Sequence, residues 1–309
     1  LFVLIVTLRT DYRAWRKLAL PLLALSIGLL VLVLAPGIGV TVNGSSRWLG
    51  AGGFSIQPSE LAKLTVLLFV ADLLARRAAW MDDTTVTLRP VLVVLGVVAL
   101  LLMLQPNLGT TIVLASIVFA LLFTAGTPLG PLVAWGAIGS VTALGLAISK
   151  SYRRARLTAF LHPWRDPLNV GYQTIQSQVS LASGGWFGVG LGASRAKWGF
   201  LPFAYTDFIF AIIGEELGLM GALLVVGLFV ALGYFGVRTA LGAPDRFGQL
   251  LAAGITTWFC VQAFVNIGAV IGVLPITGVP LPFISFGGSS LLATMAASGM
   301  LLNIARHAR

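Results

Sequence analysis

The chain of 309 residues is 58% hydrophobic and 10% charged, with 20 Lys and Arg against 10 Asp and Glu and a formal charge of +10. Repeated apolar runs near or above about eighteen residues exclude a soluble fold and predict an all-α, polytopic helical membrane protein. Cys260 stands alone inside an apolar run, so no intrachain disulfide can form, and His162 and His307 are too far apart for a His-rich metal site.

In chain order, Leu1–Arg9 is apolar but too short to cross a bilayer. It leads straight into a basic loop and reads as the tail of a longer span rather than as a signal peptide. Apolar runs bounded by Pro, Gly and charge then predict spans near residues 19–35, 59–75, 90–104, 109–126, 132–149, 216–237, 248–273 and 285–304. Residues 90–126 as one helix would measure about 55 Å, nearly twice the hydrocarbon thickness, so Gln105-Pro106-Asn107-Leu108-Gly109 is a tight turn between two spans. Phe208–Val237, about 45 Å as a straight helix, is also too long to stand upright, and its first turns are expected to lie in the interface or re-enter. The expectation is one transmembrane domain, 1–309, containing one long polar segment at 150–207.

Cations in the short loops set the orientation. Arg9, Arg13, Arg16, Lys17, Arg76, Arg77, Arg89, Arg238, Arg246, Arg306 and Arg309 mark the cytoplasmic face, whereas the alternate loops at 36–58, 105–109 and 274–284 carry only Arg47. Span parity places 150–207 on the outer side, where Lys150, Arg153, Arg154, Arg156, Arg165, Arg195 and Lys197 make it basic and Asp207 closes it. Such a segment suits an anionic ligand at the outer leaflet, such as a lipid phosphate, although a solvated amphipathic loop explains the same charges.

Several outer positions carry candidate chemistry. Gln57-Pro58-Ser59-Glu60 and Gln105-Pro106-Asn107-Leu108 each put Pro at the first position of a helix, where its missing N–H costs nothing. Glu60 and Lys63, three apart, share a helix face just inside the membrane, either as a capping acid with its ion pair or as the lining of a polar cavity. Arg47 has the shape to hold phosphate, and Trp48 beside it suits the interface. Glu215 and Glu216, being adjacent, cannot both face Asp207, and Gly214 and Gly218 allow close helix contact. From Leu274 to Ser290 runs a rigid, uncharged turn. Its N–H groups at Gly287, Gly288 and Ser289 open a helix and suit an anion, with capping by Ser289 or Ser290 as the alternative.

The same stretches carry a family resemblance. They are Val42-Asn43-Gly44-Ser45-Ser46-Arg47-Trp48, Ile56-Gln57-Pro58-Ser59-Glu60-Leu61-Ala62-Lys63, Gln105-Pro106-Asn107-Leu108-Gly109-Thr110, Gly171-Tyr172-Gln173 with Gln176-Ser177, and Gly184-Gly185-Trp186-Phe187-Gly188-Val189-Gly190-Leu191-Gly192. Thr206-Asp207-Phe208-Ile209-Phe210-Ala211, Gly214-Glu215-Glu216-Leu217-Gly218 and Leu281-Pro282-Phe283-Ile284-Ser285-Phe286-Gly287-Gly288-Ser289-Ser290 complete the set. In this order they resemble the SEDS family of bacterial cell-wall glycosyltransferases (FtsW, RodA and SpoVE), most closely its division branch.

That resemblance implies a bundle of about ten spans, the first and part of the second missing here. It implies a multi-pass protein of the bacterial cytoplasmic membrane that polymerises lipid II at the outer face. The acceptor sugar's 4-hydroxyl attacks the donor's anomeric carbon and undecaprenyl pyrophosphate leaves. Asp207 matches the family's catalytic acid, and Glu60 and Lys63 match a Glu and a Lys that line its cavity. The candidate substrate-binding set is Arg47, Trp48, Gln57, Ser59, Glu60, Lys63, Lys197, Gly287, Gly288 and Ser289. A hydroxyl nucleophile needs a carboxylate within hydrogen-bond reach, and the departing pyrophosphate needs positive charge from Arg47, Lys63, Arg153, Arg154, Lys197 or a divalent cation. Mg or Mn is implied without a legible ligand set, and no organic cofactor is. Implied partners are lipid II, a cross-linking class b penicillin-binding protein and other division or elongation proteins, with no nucleic acid. A lipid II flippase and a non-catalytic scaffold are the contrasting readings. The chain departs from the family at Asn107, where Asp is usual, and at Phe203-Ala204-Tyr205, where Glu-Ala-His is common.

Overall fold

Within a bilayer a spanning segment must satisfy its own backbone, which is why apolar runs of spanning length become helices. The computed structural model describes residues 1–42, 45–51, 54–80, 83–149 and 151–308, with all side chains among them except those of Thr41, Val42, Ala51, Phe54, Thr84, Ala147, Tyr152 and Arg153. Its helices are α1 (Phe2–Arg9), α2 (Trp15–Leu34), α3 (Pro58–Arg76), α4 (Thr84–Leu104), α5 (Leu108–Ala125), α6 (Leu129–Ser149), α7 (Ser151–Leu161), α8 (Tyr172–Ser183), α9 (Ile209–Leu241), α10 (Arg246–Val270) and α11 (Gly288–His307). Among the described residues, 7 helical segments, led by Tyr12–Leu34 and ending with Gly288–His307, are long and apolar enough to cross a membrane. They fall on the predicted spans. The predicted span at 59–75 is α3, which has the length but carries Glu60, Lys63, Asp72 and Arg76.

Two compact units make up the chain. The first comprises Leu1–Gly139, Gly233–Phe259 and Gly288–Arg309. At its centre lies α3, packed against α2, α4, α5 and α11. Ser59, Glu60, Lys63, Thr65 and Asp72 are all buried there. Charges are expensive in lipid, so the most polar of the long helices is the one the others enclose. Where α2 meets α3, Ser26 and Thr65 share a hydrogen bond of 2.8 Å.

At the end predicted to be cytoplasmic, Asp72 accepts from Arg16 at 2.8 Å and pairs with Arg76 at 2.7 Å. The fully buried Tyr12 donates its N–H to Asn303 Oδ1 at 3.0 Å and its hydroxyl to Asp245. Asp245 also accepts from Arg13 at 2.8 Å and from the Gly248 N–H at 2.8 Å, which starts α10. Burial opposes ionisation of Asp245, but the bonds from Tyr12, Gly248 and Arg13 outweigh it and hold this carboxyl below the usual carboxylate range.

Residues 36–58, read from sequence only as an outer loop, contain a three-stranded antiparallel sheet in the order β1 (Gly39–Val42), β2 (Ser45–Ala51), β3 (Phe54–Ile56). Val40 pairs with Trp48 and Leu49 with Ile56. This small sheet is the exception to the all-α class. Its sequence signal is the dipeptide Asn43-Gly44 between two β-prone runs; those two residues lie outside the described ones.

Ser140–Leu232 and Cys260–Gly287 form the second unit. The polar segment is not simply a loop, since it holds α7 and α8. Ser177 of α8 donates to Val270 O at 3.0 Å, seating the helix on the end of α10. Helix α9, too long for one upright span, is broken at Gly218, whose φ of 67° and ψ of −166° are not helical. The break strands backbone groups on either side, and residues 185–190 take them up. Val189 N–H donates to Glu215 O at 2.9 Å and Gly190 N–H to Glu216 O at 3.1 Å, while the N–H groups of Leu219 and Met220 donate to Gly185 O (2.9 Å) and Trp186 O (3.2 Å). So close an approach needs glycine on both sides: a Cβ at Gly188 would strike Glu216 O, and one at Gly218 would strike the backbone of Trp186 and Gly188. Beyond the break, Leu219–Leu241 measures about 35 Å, which matches a bilayer.

Gly218→Ala should destabilise the protein by about 1–3 kcal/mol, through positive φ and backbone collision. Gly227→Ala, in the same helix with open space around its Cβ position, should be neutral or stabilising. Thermal unfolding in detergent compares them, and equal midpoints would contradict the clasp. For Asp245, a carboxyl depressed in the folded state contributes stability that is full above its unfolded value of about 3.9 and is lost as pH falls through the folded one. The difference in midpoint between the parent and Asp245→Asn should therefore narrow from about pH 5 to about pH 3. A constant difference would remove Asp245 from the acid response.

Candidate functional site

Asp207 sits in a turn that its neighbours make rigid. The N–H groups of Thr206, Asp207 and Phe208 all donate to Phe203 O, at 3.1, 3.1 and 3.2 Å. That convergence accompanies a left-handed Phe203, φ 60°. Leu201, Ala204 and Phe208 bury their side chains in an apolar core with Phe210, Ala211 and Leu281, which anchors the turn on both sides and leaves Asp207 half-buried. Phe203 and Tyr205, the residues that depart from the family pattern, are exposed on either side of the buried Ala204.

Three consecutive carbonyls of this turn are then tied to the second unit's other segment. Tyr205 O accepts from the Phe286 N–H at 2.9 Å, Thr206 O from the Ser285 hydroxyl, and Asp207 O from Asn266 Nδ2 at 2.8 Å. Asn266 Nδ2 also donates to Val279 O at 2.8 Å, and Gln262, one helical turn earlier on α10, donates to Pro280 O at 2.8 Å. The carboxylate lies beside Gly278, φ 71°, where a Cβ would stand 3.6 Å from Asp207 Oδ2. Sequence reading passed over Gln262 and Asn266. Their signal was two carboxamides four residues apart inside an apolar span, where polar groups are costly and need a task.

Glu215 and Glu216 hold the segment 192–198. Glu215 accepts from the Ser194 hydroxyl and from the N–H groups of Arg195 (2.9 Å) and Ala196 (3.3 Å), fixing the start of the 3-10 turn Ala196–Trp198. Glu216 pairs with Lys197 at 2.8 Å, and Lys197 also donates to Gly192 O. The candidate Lys197 is thus held by an internal partner. Arg154, Arg156, Arg165 and Arg195 are exposed on this unit, while Lys150 and the side chain of Arg153 lie outside the described residues. Gly287 belongs to the same unit and immediately precedes α11.

The other candidates belong to the first unit. Glu60 Oε2 lies 2.9 Å from Lys63 Nζ, with both side chains 1% exposed, and Lys63 Nζ stands 5.0 Å from the ring centroid of buried Trp258. The ammonium is thus held by a carboxylate and an aromatic face in an enclosed setting. Just above them, the Gln57 N–H donates to Ser289 Oγ at 2.9 Å, and Ser289 Oγ donates to Ser55 O at 3.5 Å. Ser289 therefore joins the end of β3 and the start of α3 to α11. Ser59 accepts from Asn107 Nδ2 at 3.4 Å, while Asn107 Oδ1 caps α5 through the Thr110 N–H at 3.4 Å. Asn in place of Asp thus keeps the cap. Arg47 of β2 donates from Nε to Gln105 O at 2.9 Å and from its terminal nitrogen to Pro106 O, tying the sheet to the α4–α5 turn. Trp48 is half-buried in β2, and Gly288 is exposed at the start of α11.

Among the described residues no three His, Cys, Asp or Glu side chains gather as a metal site. Among the described residues, the second unit offers the Asp207 carboxylate on a fixed turn, apart from Glu215 and Glu216, which hold 192–198, and the first offers the enclosed Glu60–Lys63 pair.

Known proteins are similar to this chain in sequence and fold. The family model described as cell cycle protein, that of FtsW, RodA and SpoVE, matches residues 1–309. Stage V sporulation protein E of Bacillus subtilis (strain 168) is 44% identical over 302 residues, 98% of this chain and 82% of that protein. The probable peptidoglycan glycosyltransferase FtsW of Thioalkalivibrio sulfidiphilus is 48% identical over 301 residues, 95% of this chain and 74% of that one. In a solved structure on the coordination of polymerization and crosslinking by a peptidoglycan synthase complex, one chain is 33% identical and superposes with a TM-score of 0.81, covering 99% of this chain and 85% of that chain. The rod shape determining protein RodA of Thermus thermophilus gives a TM-score of 0.70 at 29% identity, with 99% and 83% covered. The chain belongs to the FtsW, RodA and SpoVE family of multi-pass membrane proteins.

Proposed function

We propose that this protein is a peptidoglycan glycosyltransferase that polymerises lipid II at the outer face of the bacterial cytoplasmic membrane, in cell division, with Asp207 as its base. The observation that carries the reading is the mounting of Asp207: a half-buried carboxylate on a turn whose three successive carbonyls are all fixed. Relatives named as probable peptidoglycan glycosyltransferases, 42% and 48% identical, support the reaction class.

In this reading the Asp207 carboxylate accepts the proton of the acceptor's 4-hydroxyl as that oxygen bonds to the donor's anomeric carbon. The bond from that carbon to the pyrophosphate oxygen breaks, and the electron pair leaves with undecaprenyl pyrophosphate. Fixing the base in advance removes the cost of orienting it at each turnover. The exposed cations of the outer segment, Arg154, Arg156, Arg165 and Arg195, offer positive charge to the departing pyrophosphate. Arg47, Trp48, Gln57, Ser59, Glu60, Lys63, Lys197, Gly287, Gly288 and Ser289 remain the proposed substrate-binding set. Several of them first serve as internal staples, so their contribution to binding would run through the shape they hold.

A divalent cation, Mg or Mn, would come on the substrate's phosphates, since Mg typically binds through one or two carboxylates plus phosphate oxygens. Among the described residues no three His, Cys, Asp or Glu side chains form a cage for it. The likeness to a chain of a peptidoglycan synthase complex supports a penicillin-binding protein as partner, of class b in this proposal.

With purified lipid II, the partner and a divalent cation, the parent should form glycan strands. Asp207→Asn, folded and still bound to its partner, should be slower by about 10²–10⁴-fold, the usual worth of a general base. Polymer at the parental rate from that variant would overturn Asp207 as base. Absence of polymer from parent and variant alike would overturn the polymerase reading in favour of transport or scaffolding.

A further inference from the structure

We infer that Asn266 is a positioning residue for the reaction, holding the backbone of Asp207 so that its carboxylate faces the acceptor hydroxyl; this rests on Asp207 being the base. The side chain is 2% exposed and sits inside the α10 span, where a carboxamide is costly. Both its protons are used: Nδ2 donates to Asp207 O and to Val279 O, each at 2.8 Å. Its Oδ1 is buried and has no hydrogen-bond partner among the described residues. A buried acceptor left unpaired is normally selected against. Asn266 therefore serves as a double donor.

Only a group offering two N–H donors from one point fits here. Aspartate would set a charge against two carbonyl oxygens, and leucine, of similar size, would offer neither carbonyl a donor. The two carbonyls belong to the two segments that frame the carboxylate, the turn 203–208 and the loop around Gly278. Fixing the Asp207 carbonyl fixes the peptide plane leaving that residue, and with the upstream N–H bonds to Phe203 O it pins the backbone on both sides of its Cα. Gly278, with no side chain beside Asp207 Oδ2, leaves the carboxylate its place.

Loop-holding and base-positioning can be separated because α10 carries a second carboxamide. Gln262 is also fully buried, and its Nε2 holds the same loop through Pro280 O. If Asn266 merely anchored the loop, removing either side chain would have a similar effect. If it positions the base, removing Asn266 is worse and the loss falls on the chemical step.

The experiment is steady-state lipid II polymerisation by the full chain with its partner, for Asn266→Ala, Gln262→Ala and Asp207→Asn, each checked for folding by thermal unfolding. Asn266→Ala should lower kcat by about 10–100-fold with KM for lipid II within about 2-fold, as expected for a base displaced by about an ångström; Gln262→Ala should keep kcat within about 3-fold. A parental kcat in folded Asn266→Ala, a loss carried by KM alone, or an equal loss in Gln262→Ala would overturn the positioning role. Should Asn266→Ala not fold, Asn266→Ser, which keeps a donor for one of the two carbonyls, is judged by the same division between kcat and KM. If Asp207→Asn polymerises normally, the base assignment itself falls and this role with it. If Asp207→Asn is inactive and Asn266→Ala is parental, the positioning role alone is overturned.

Discussion

A helix that breaks inside a membrane protein must have its stranded N–H and C=O groups repaired by another segment, because lipid offers them nothing. The break in α9 at Gly218 sets that requirement, and residues 185–190 meet it by pairing with Glu215, Glu216, Leu219 and Met220. The rest of the second unit follows from the repair. With 185–190 pinned, the carboxylates of Glu215 and Glu216 reach 192–198 and fix Arg195, Ala196 and Lys197. From there the chain runs a few residues to Leu201, Ala204 and Phe208, whose burial delivers Asp207 to its turn. A carboxylate on a loop, such as this proposed base, would ordinarily be mobile. Here it is mounted on a backbone lattice whose members have few alternatives.

Electrostatic cost organises the first unit in the same way. Glu60, Lys63 and Asp72 lie on one helix that four others enclose. Each buried charge has a counter-charge at hand, Lys63 against Glu60 at the predicted outer end and Asp72 between Arg16 and Arg76 at the predicted inner one. Burying such pairs contributes little net stability, because desolvation offsets the attraction, whereas removing one partner is costly. Their value to α3 lies in permitting polar groups at both ends of a helix that others enclose.

What was legible in the sequence divides by range of interaction. Spans, the turn at Gln105–Gly109 and the excess length of the α9 stretch came from local hydropathy and helix rise, and the structure bears them out. Asp207 stood out as a candidate by its place at the end of a basic segment and by family resemblance. The sheet of residues 39–56 and helices α7 and α8 were passed over because short amphipathic elements resemble loops beside long apolar spans. Glu215, Glu216 and Lys197 carried charge that sequence could assign to a ligand, but their partners lie about twenty positions apart along the chain and emerge only when Gly218 breaks the helix. Asn266 was hidden differently: two carboxamides four residues apart in an apolar run have many readings until the carbonyls of Asp207 and Val279 are seen converging on one of them.

The most direct measurement is a structure of the protein bound to a lipid II analogue that cannot react. Asp207 as the base of a polymerase requires the acceptor's 4-hydroxyl within about 3 Å of its carboxylate, outside the membrane core. A head group lodged against Glu60 and Lys63, with the Asp207 carboxylate touching no sugar, would contradict that role and favour passage across the membrane instead.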